Sequence, residues 1–236
     1  MTISQTDLKT KYGTDPGDRY NYALDVSQFP SLAARGAVQF NANHDTTVVL
    51  ACDYISMVLL TQAAAQQHYH PEWFLIGVAL TDTDGFARIT DQSETAGHLF
   101  GLSQAGDDKV ANDPNGEAAL GYKAATGKAM PRGGAPVYFQ LLSMFNQLQA
   151  AGPVLTPETI AKGTHAMPPA GGDKAAVGTW DFSNDHTGIN DSREIYWDPN
   201  STAYDGKKGD YLATYGGRRF STGQWPREDP PIYPGR

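Results

Sequence analysis

A chain of 236 residues, 40% hydrophobic and 19% charged, can bury a sizeable core as one large domain or two small ones. Its 18 basic and 26 acidic side chains leave a formal charge of −8, which argues against nucleic acid and anionic membrane surfaces as partners. No segment approaches the ~20 apolar residues of a membrane span, and a single cysteine, Cys52, excludes an intramolecular disulfide.

Met1 is followed by Thr2-Ile3-Ser4-Gln5-Thr6-Asp7, without the basic start and apolar block of a signal peptide, so taken alone the chain reads as cytoplasmic. Residues 1–12 suggest a short helix anchored by Ile3 and Leu8, and Tyr20 to Asp25 a short strand or extended turn. Ser27 is placed to cap a helix from Phe29 to about Asn43, with Pro30 in its first turn and Phe29, Leu32, Ala33, Gly36 and Phe40 on one face. Thr46 to Ala51 is a buried strand that runs into Cys52-Asp53-Tyr54. Ile55 to Gln67 is a helix, apolar nearly all round at its start and therefore largely buried. Trp73 to Leu80 is a second strand, running into Thr81-Asp82-Thr83-Asp84-Gly85.

The pattern then weakens. Glu94 to Leu102 is small and apolar, Asp107 to Gly116 a polar loop, and Glu117 to Thr126 a short helix. A clear helix spans Pro136 to Ala151, with Val137, Leu141, Leu142, Phe145 and Leu148 as its buried stripe and Gly152-Pro153 as its stop. Thr156 caps another helix with Pro157 at its first position. Gly178 to Phe182 and Glu194 to Trp197 read as strands around a polar loop, Asn184 to Ser192. Tyr211 to Tyr215, Gly216-Gly217 and Arg218 to Phe220 read as a hairpin on a Gly-Gly turn, and a proline-rich tail follows Trp225.

The strand–helix–strand unit from Thr46 to Leu80 implies parallel neighbours with a right-handed crossover. Small molecules bind in such sheets outside the carboxyl ends of the strands, which here carry Asp53, Tyr54, Asp82 and Asp84. An acidic, partly aromatic crevice suits a small solute with an amino group. Asp53 also reads as the N-cap of the following helix, and Asp82 and Asp84 as turn formers; a cap at a strand end faces the same crevice. Other chemistry fails on spacing. Placing Gly85 at the sixth position of a calcium loop puts Leu80 at the first. The His68, His70, Glu72 string enters a strand through Pro71, where polar surface residues are ordinary. Gly121 to Lys128 has one residue too many for a phosphate loop, and Ala129 stands where Ser or Thr is required. His186 lies in a turn-rich polar loop, and no Ser, Cys or His has a nucleophile context. No catalytic residue, metal or cofactor is expected.

The chain resembles the type I periplasmic solute-binding proteins of ABC transporters, leucine-binding subgroup. The likeness is carried by Leu24-Asp25 through Phe29-Pro30, Thr46 to Asp53, Leu60 to Ala64 with His70 to Trp73, Ala96 to Gly101, Gln140 to Leu142, and Ala151 to Pro153 with Leu155 to Thr159. Asp185 to Gly188, Tyr196 to Asp198 and Gly216 to Phe220 complete it, all in the family's order. The resemblance implies an α/β fold of two Rossmann-like three-layer lobes joined by crossovers, here N-terminally incomplete: the signal peptide and most of the first lobe have no counterpart. It divides the chain into 1–98 (second lobe), 99–170 (returning helices of the first lobe), 171–205 (second-lobe strands) and 206–236 (hairpin and tail). Carried over by position, Tyr22, Asp53, Tyr54, Thr81 and Asp82 are the ligand contacts, the acidic ones suited to an ammonium. The implied function is uptake of an amino acid or similar polar solute, without chemistry, in partnership with an ABC permease. Full-length relatives are exported or lipid-anchored outside the membrane. A cytoplasmic ligand sensor on the same fold, and a remnant that binds nothing and leaves the Pro136–Ala151 helix uncovered, are the competing readings.

Overall fold

The structure, a computed structural model, describes residues 9–10, 13, 17, 19–23, 25–184, 188–221 and 223–226. The expectations for residues 1–8, for His186 and for the tail from Arg227 lie outside them.

Three parallel strands, β1 (Thr47–Leu50), β2 (Glu72–Leu75) and β3 (Leu99–Ser103), open the sheet. Two antiparallel strands extend it, β4 (Asp191–Thr202) and β5 (Lys208–Ala213), in the spatial order β1-β2-β3-β4-β5. A short β6 (Phe220–Ser221) pairs with the start of β4. The register lines up buried side chains in rungs: Val48 with Trp73 and Leu99, then Leu50 with Leu75 and Gly101. Period-2 alternation puts this set on one face, where Met57, Ala64, Ile195 and Trp197 join it in the main core.

Between β1 and β2 runs α2 (Tyr54–Gln66), with only Gln62 and Gln66 exposed, as its apolar composition requires. Helix α1 (Phe29–Ala42) lies against it through Ala33, Ala37 and Ala63, and Gly36 lets Leu60 and Tyr20 approach closely. Short α3 (Asp84–Ala87) and α4 (Gln92–Thr95) lead into β3. Beyond β3 the chain leaves the sheet for α5 (Asp108–Ala111), α6 (Glu117–Thr126), α7 (Gly134–Ala151) and α8 (Pro157–His165). These gather around Ala111, Ala118, Ala135 and Phe139, with Gly163 of α8 packed on the backbone of Ala150 and Ala151. Thr156 and Thr159 close the expected cap of α8 as a reciprocal box.

Several expectations are corrected. Ser27 does not cap α1: Asp25 takes the Ser27 amide and hydroxyl at 3.1 and 2.6 Å and caps a 3₁₀ turn, Val26–Gln28, instead. No strand forms over Tyr20 to Asp25 among the described residues. β1 is buried on one face only: Val48 and Leu50 face the core, and Val49 on the other face is 58% exposed. β2 stops at Leu75 rather than Leu80, since Gly77, Ala79 and Leu80 take left-handed backbone and fold the chain back toward the end of β3. Strand β3 and the short α5 went unread. The strand expected at Gly178–Phe182 is one bridge, between Ala170 and Trp180.

The Gly-Gly hairpin does not form either. β4 runs far enough to pair with β5 through a turn at Ala203–Gly206, and then with β6 at its other end, so Gly216-Gly217 sits in a 3₁₀ turn between them. On α7 the buried residues are Ala135, Phe139 and Ser143, whereas Val137, Leu141 and Phe145 of the expected stripe are exposed, because α6 and α8 take the opposite side.

Gly101 makes the parallel pairing possible. A Cβ there would stand 2.0 Å from the Leu75 carbonyl oxygen, and its φ of 154° suits glycine alone. Gly101→Ala is expected to cost about 3 kcal/mol or more, read as a large fall in Tm. Gly85→Ala, which meets no atom within 4 Å, should move Tm little.

Candidate functional site at the carboxyl ends of the parallel strands

β1 delivers Asp53 to the start of α2, where extended backbone (φ −78°, ψ 164°) makes it the N-cap. Its carboxylate accepts the Ser56 amide at 2.9 Å, the Ser56 hydroxyl at 2.8 Å and the Tyr22 hydroxyl at 2.7 Å. Burial works to raise its pKa, but the Tyr22 hydroxyl and the two Ser56 donors outweigh it and hold the group below the usual carboxylate range. Asp53 is therefore anionic at neutral pH. Burial pushes the Tyr22 phenol up to about 12, and burial with the Asp53 charge does the same to the Cys52 thiol, which is inert. Next to the cap, Tyr54 stacks on Phe86 of α3, ring centroids 3.8 Å apart.

The end of β2 builds a second group. The buried Thr81 hydroxyl donates to the Val78 carbonyl at 2.7 Å, and the Thr81 carbonyl accepts from the Tyr211 hydroxyl of β5 at 3.0 Å. Asp82 accepts from the Ser103 hydroxyl at the end of β3, at 2.6 Å. Burial raises the Asp82 carboxyl, and Ser103 and the Arg193 charge offset only part of that. The five expected residues thus fall into two networks on one edge of the sheet, Tyr22–Asp53 with Tyr54 beside it, and Thr81–Asp82. Their partners Ser56, Phe86, Ser103 and Tyr211 were missed. Only the Ser56 position, three residues after a capping Asp, had a signal in the sequence.

Asp84 turns away from the first network. Only 6% exposed, it accepts the Tyr211 amide at 3.0 Å, with Arg88 3.7 Å off, while Arg88 grips Asp205 at 2.8 and 3.0 Å and Lys109 pairs with Asp210 at 2.7 Å. Burial, with the Asp210 and Asp205 charges adding to it, pushes Asp84 up to about 6; burial and the Asp84 charge push Asp108 to about 6 as well. Among the described residues no three His, Cys, Asp or Glu side chains are placed to hold a metal. His70 instead pairs with the buried Glu94 at 2.8 Å, and Glu72 accepts from Thr47 at 3.3 Å. No helix among the described residues is long and apolar enough to cross a membrane.

No protein-family model and no curated protein matches the sequence. Solved structures do. An ABC transporter substrate-binding protein from Aeropyrum pernix aligns over 83% of this chain and 50% of its own, with a TM-score of 0.55 at 12% identity. A fatty acid ABC transporter substrate-binding protein from Thermomonospora curvata aligns over 80% and 47%, with a TM-score of 0.57 at 12% identity. The leucine-, isoleucine-, valine-, threonine- and alanine-binding protein of Brucella ovis, in a closed conformation, aligns over 93% and 52%, with a TM-score of 0.51 at 17% identity. The fold is that of the type I periplasmic binding proteins. The chain spans about half the length of these structures. By their descriptions they are binding proteins rather than enzymes, and their named ligands, a fatty acid and several amino acids, differ on the one fold.

Two measurements test the local chemistry. Asp53→Ala should cost about 1 kcal/mol of stability through loss of the cap, whereas Asp53→Asn keeps the acceptor and should cost less. Asp84 has a folded pKa of about 6, above its unfolded value, so the native state takes up a proton the unfolded chain does not as pH falls from 6 toward 4. Its contribution to stability therefore rises on acidification through that window and is lost above it. Asp84→Asn, which can still accept from Tyr211, should raise Tm at pH 7.5 and have less effect at pH 5.

Proposed function

We propose that this chain carries the ligand-binding edge of a solute-binding component of an ABC uptake system, taking a small polar solute with an amino group, such as an amino acid or amide. The observation that carries the reading is Asp53: a carboxylate kept ionised at the carboxyl end of a parallel strand, beside a stacked Tyr54–Phe86 pair. A carboxylate offers about four acceptor positions, and three are filled by Tyr22 and Ser56, so one remains for an ammonium. Thr81 and Asp82 stand at the next strand end as the second set of contacts, and Tyr22 acts through Asp53. The fold shared with substrate-binding proteins supports binding without chemistry, and a permease is the partner this reading calls for. We assign β1–β5 to one lobe and α5–α8 to the other. That assignment puts β3 with the sheet, a few residues past the boundary expected at 98. In this reading the working protein acts outside the membrane, as a component that delivers its solute to the permease.

Thermal unfolding against amino acids, small amides and polyamines tests this. One amine-bearing class should raise Tm by several degrees, and Asp53→Asn should remove most of that shift while leaving the unliganded Tm close to wild type. A melt unmoved by every amine, or a shift that survives both Asp53→Asn and Asp82→Asn, refutes the assignment.

A further inference from the structure

Of the buried carboxylates, Asp84 faces Arg88 and Asp210 pairs with Lys109. Glu94, on α4, has neither kind of partner among the described residues. Its side chain is fully closed to water, and its ion-pair contact is the His70 imidazole, Nδ1 to Oε1 2.8 Å, itself 56% exposed. Neither carboxylate oxygen accepts a hydrogen bond from any other described group. The buried acid thus lies one side chain below the surface, with a histidine as its cover. The other charged groups that act on it are Asp91, the cap of α4, and His98, just before β3. Helix α2, which packs on α4, contains no Asp, Glu, Lys, Arg or His, and β4 reaches α4 through the Trp197 indole, which donates to Gln92 at 2.8 Å. Glu72 on β2 accepts from Thr47 instead.

We propose that His70 and Glu94 form a proton-holding clasp between the turns that lead into β2 and β3, closed while the pair carries one proton and opened when it loses it. A carboxylate out of water is tolerated as an anion only opposite a cation, and His70 is a cation only when protonated. The pair is therefore neutral overall with one proton, whichever member holds it. Without that proton, a buried anion faces a neutral ring. Burial raises the Glu94 carboxyl, and the His70 and His98 charges offset only part of that. The same two turns are joined by the backbone, where the Trp73 amide donates to the His98 carbonyl at 2.8 Å. In the unfolded chain a glutamate titrates near ~4.3 and a histidine near ~6.5, so there the last proton is gone above ~6.5. The native state keeps it longer, and the clasp's contribution to stability is present below that pH and lost as pH rises past it. The clasp sits at the amino ends of the strands, the edge opposite Asp53 and Asp82, and is independent of the solute-binding reading.

Urea unfolding of the full chain between pH 6 and pH 8.5 reads the outcome. The folding constant of the wild type should fall by up to about tenfold per pH unit above ~6.5, the slope of one linked proton. Glu94→Gln removes the buried charge, so it should show no such fall and should overtake the wild type by pH 8.5. His70→Gln should be less stable than the wild type at pH 6, by about tenfold in the folding constant, and converge on it by pH 8.5. Asp84 and Asp108, at about 6, are common to all three proteins and cancel in the comparison. Hydrogen-exchange protection of the Trp73 amide, corrected for the intrinsic rate, should fall over the same interval in the wild type and in neither variant. Wild type and Glu94→Gln running parallel across the range overturn the proposal. So does a His70→Gln deficit that is constant with pH, which marks a contact without a linked proton. His70 lies at the surface, so its variant decides the matter even where Glu94→Gln does not fold.

Discussion

The parallel register of β1, β2 and β3 is the constraint on which everything else rests. It is fixed by rungs of buried residues, Val48–Trp73–Leu99 and Leu50–Leu75 with Gly101 beside it, and a slip of one residue would send Trp73 to the open face and Phe74 into the core. Because the three strands run the same way in this register, their carboxyl ends stop on one edge. Asp53 is carried there by β1, Thr81 and Asp82 by the turn after β2, and Ser103 by β3 itself. The glycine at 101 is what lets the last two strands come close enough for Ser103 to reach Asp82. Sheet packing and site geometry are one arrangement seen at two places.

The sheet holds the helical unit α5–α8 through two passages of chain, 104–106 going out and 173–190 coming back, and one side chain fastens both. Arg219, buried, donates to the carbonyls of Gln104 and Ala105 and to the Asp191 carboxylate, while its amide is taken by Asp173. Arg193 adds a bond to the Gly106 carbonyl. A guanidinium can do this because its donors form a rigid planar fork, so several backbone carbonyls are satisfied by one buried cation. The carboxylate beside it offsets the cost of taking that charge out of water.

How much of this was legible in the sequence depended on whether the signal was local. The strand–helix–strand order from Thr46 to Leu75, the Asp53 cap, the Glu117–Thr126 helix and the Thr156 cap were readable, because capping and periodicity act within a few residues. Some failures were local, as where Asp25 takes the capping role expected of Ser27, but most were of longer range. Whether β4 pairs with β5 or Gly216-Gly217 turns a hairpin is decided by a twelve-residue strand with two sets of partners, which no four-residue window contains. The stripe on α7 was read as buried because apolar residues at helical spacing ordinarily are. Its exposure follows from what lies, or does not lie, opposite, and that is a tertiary fact. At the site the acidic residues stood out by position, while Ser103, Phe86 and Tyr211 come from separate elements and could be found only once the sheet had assembled.

Asp53 and Asp82 are the same residue at the same edge, yet their environments push them in opposite directions. Asp53 takes three hydrogen bonds from donors that favour its charged form; at Asp82 burial outweighs the Ser103 hydrogen bond and the Arg193 charge. Desolvation disfavours charge and donors favour it, so burial prevails at the more deeply set Asp82 and the donors prevail at Asp53. The edge therefore carries one carboxylate that its donors keep ionised and one whose pKa burial raises. Hydrogen bonding and burial together, more than the identity of the residues, set the two carboxyl groups apart.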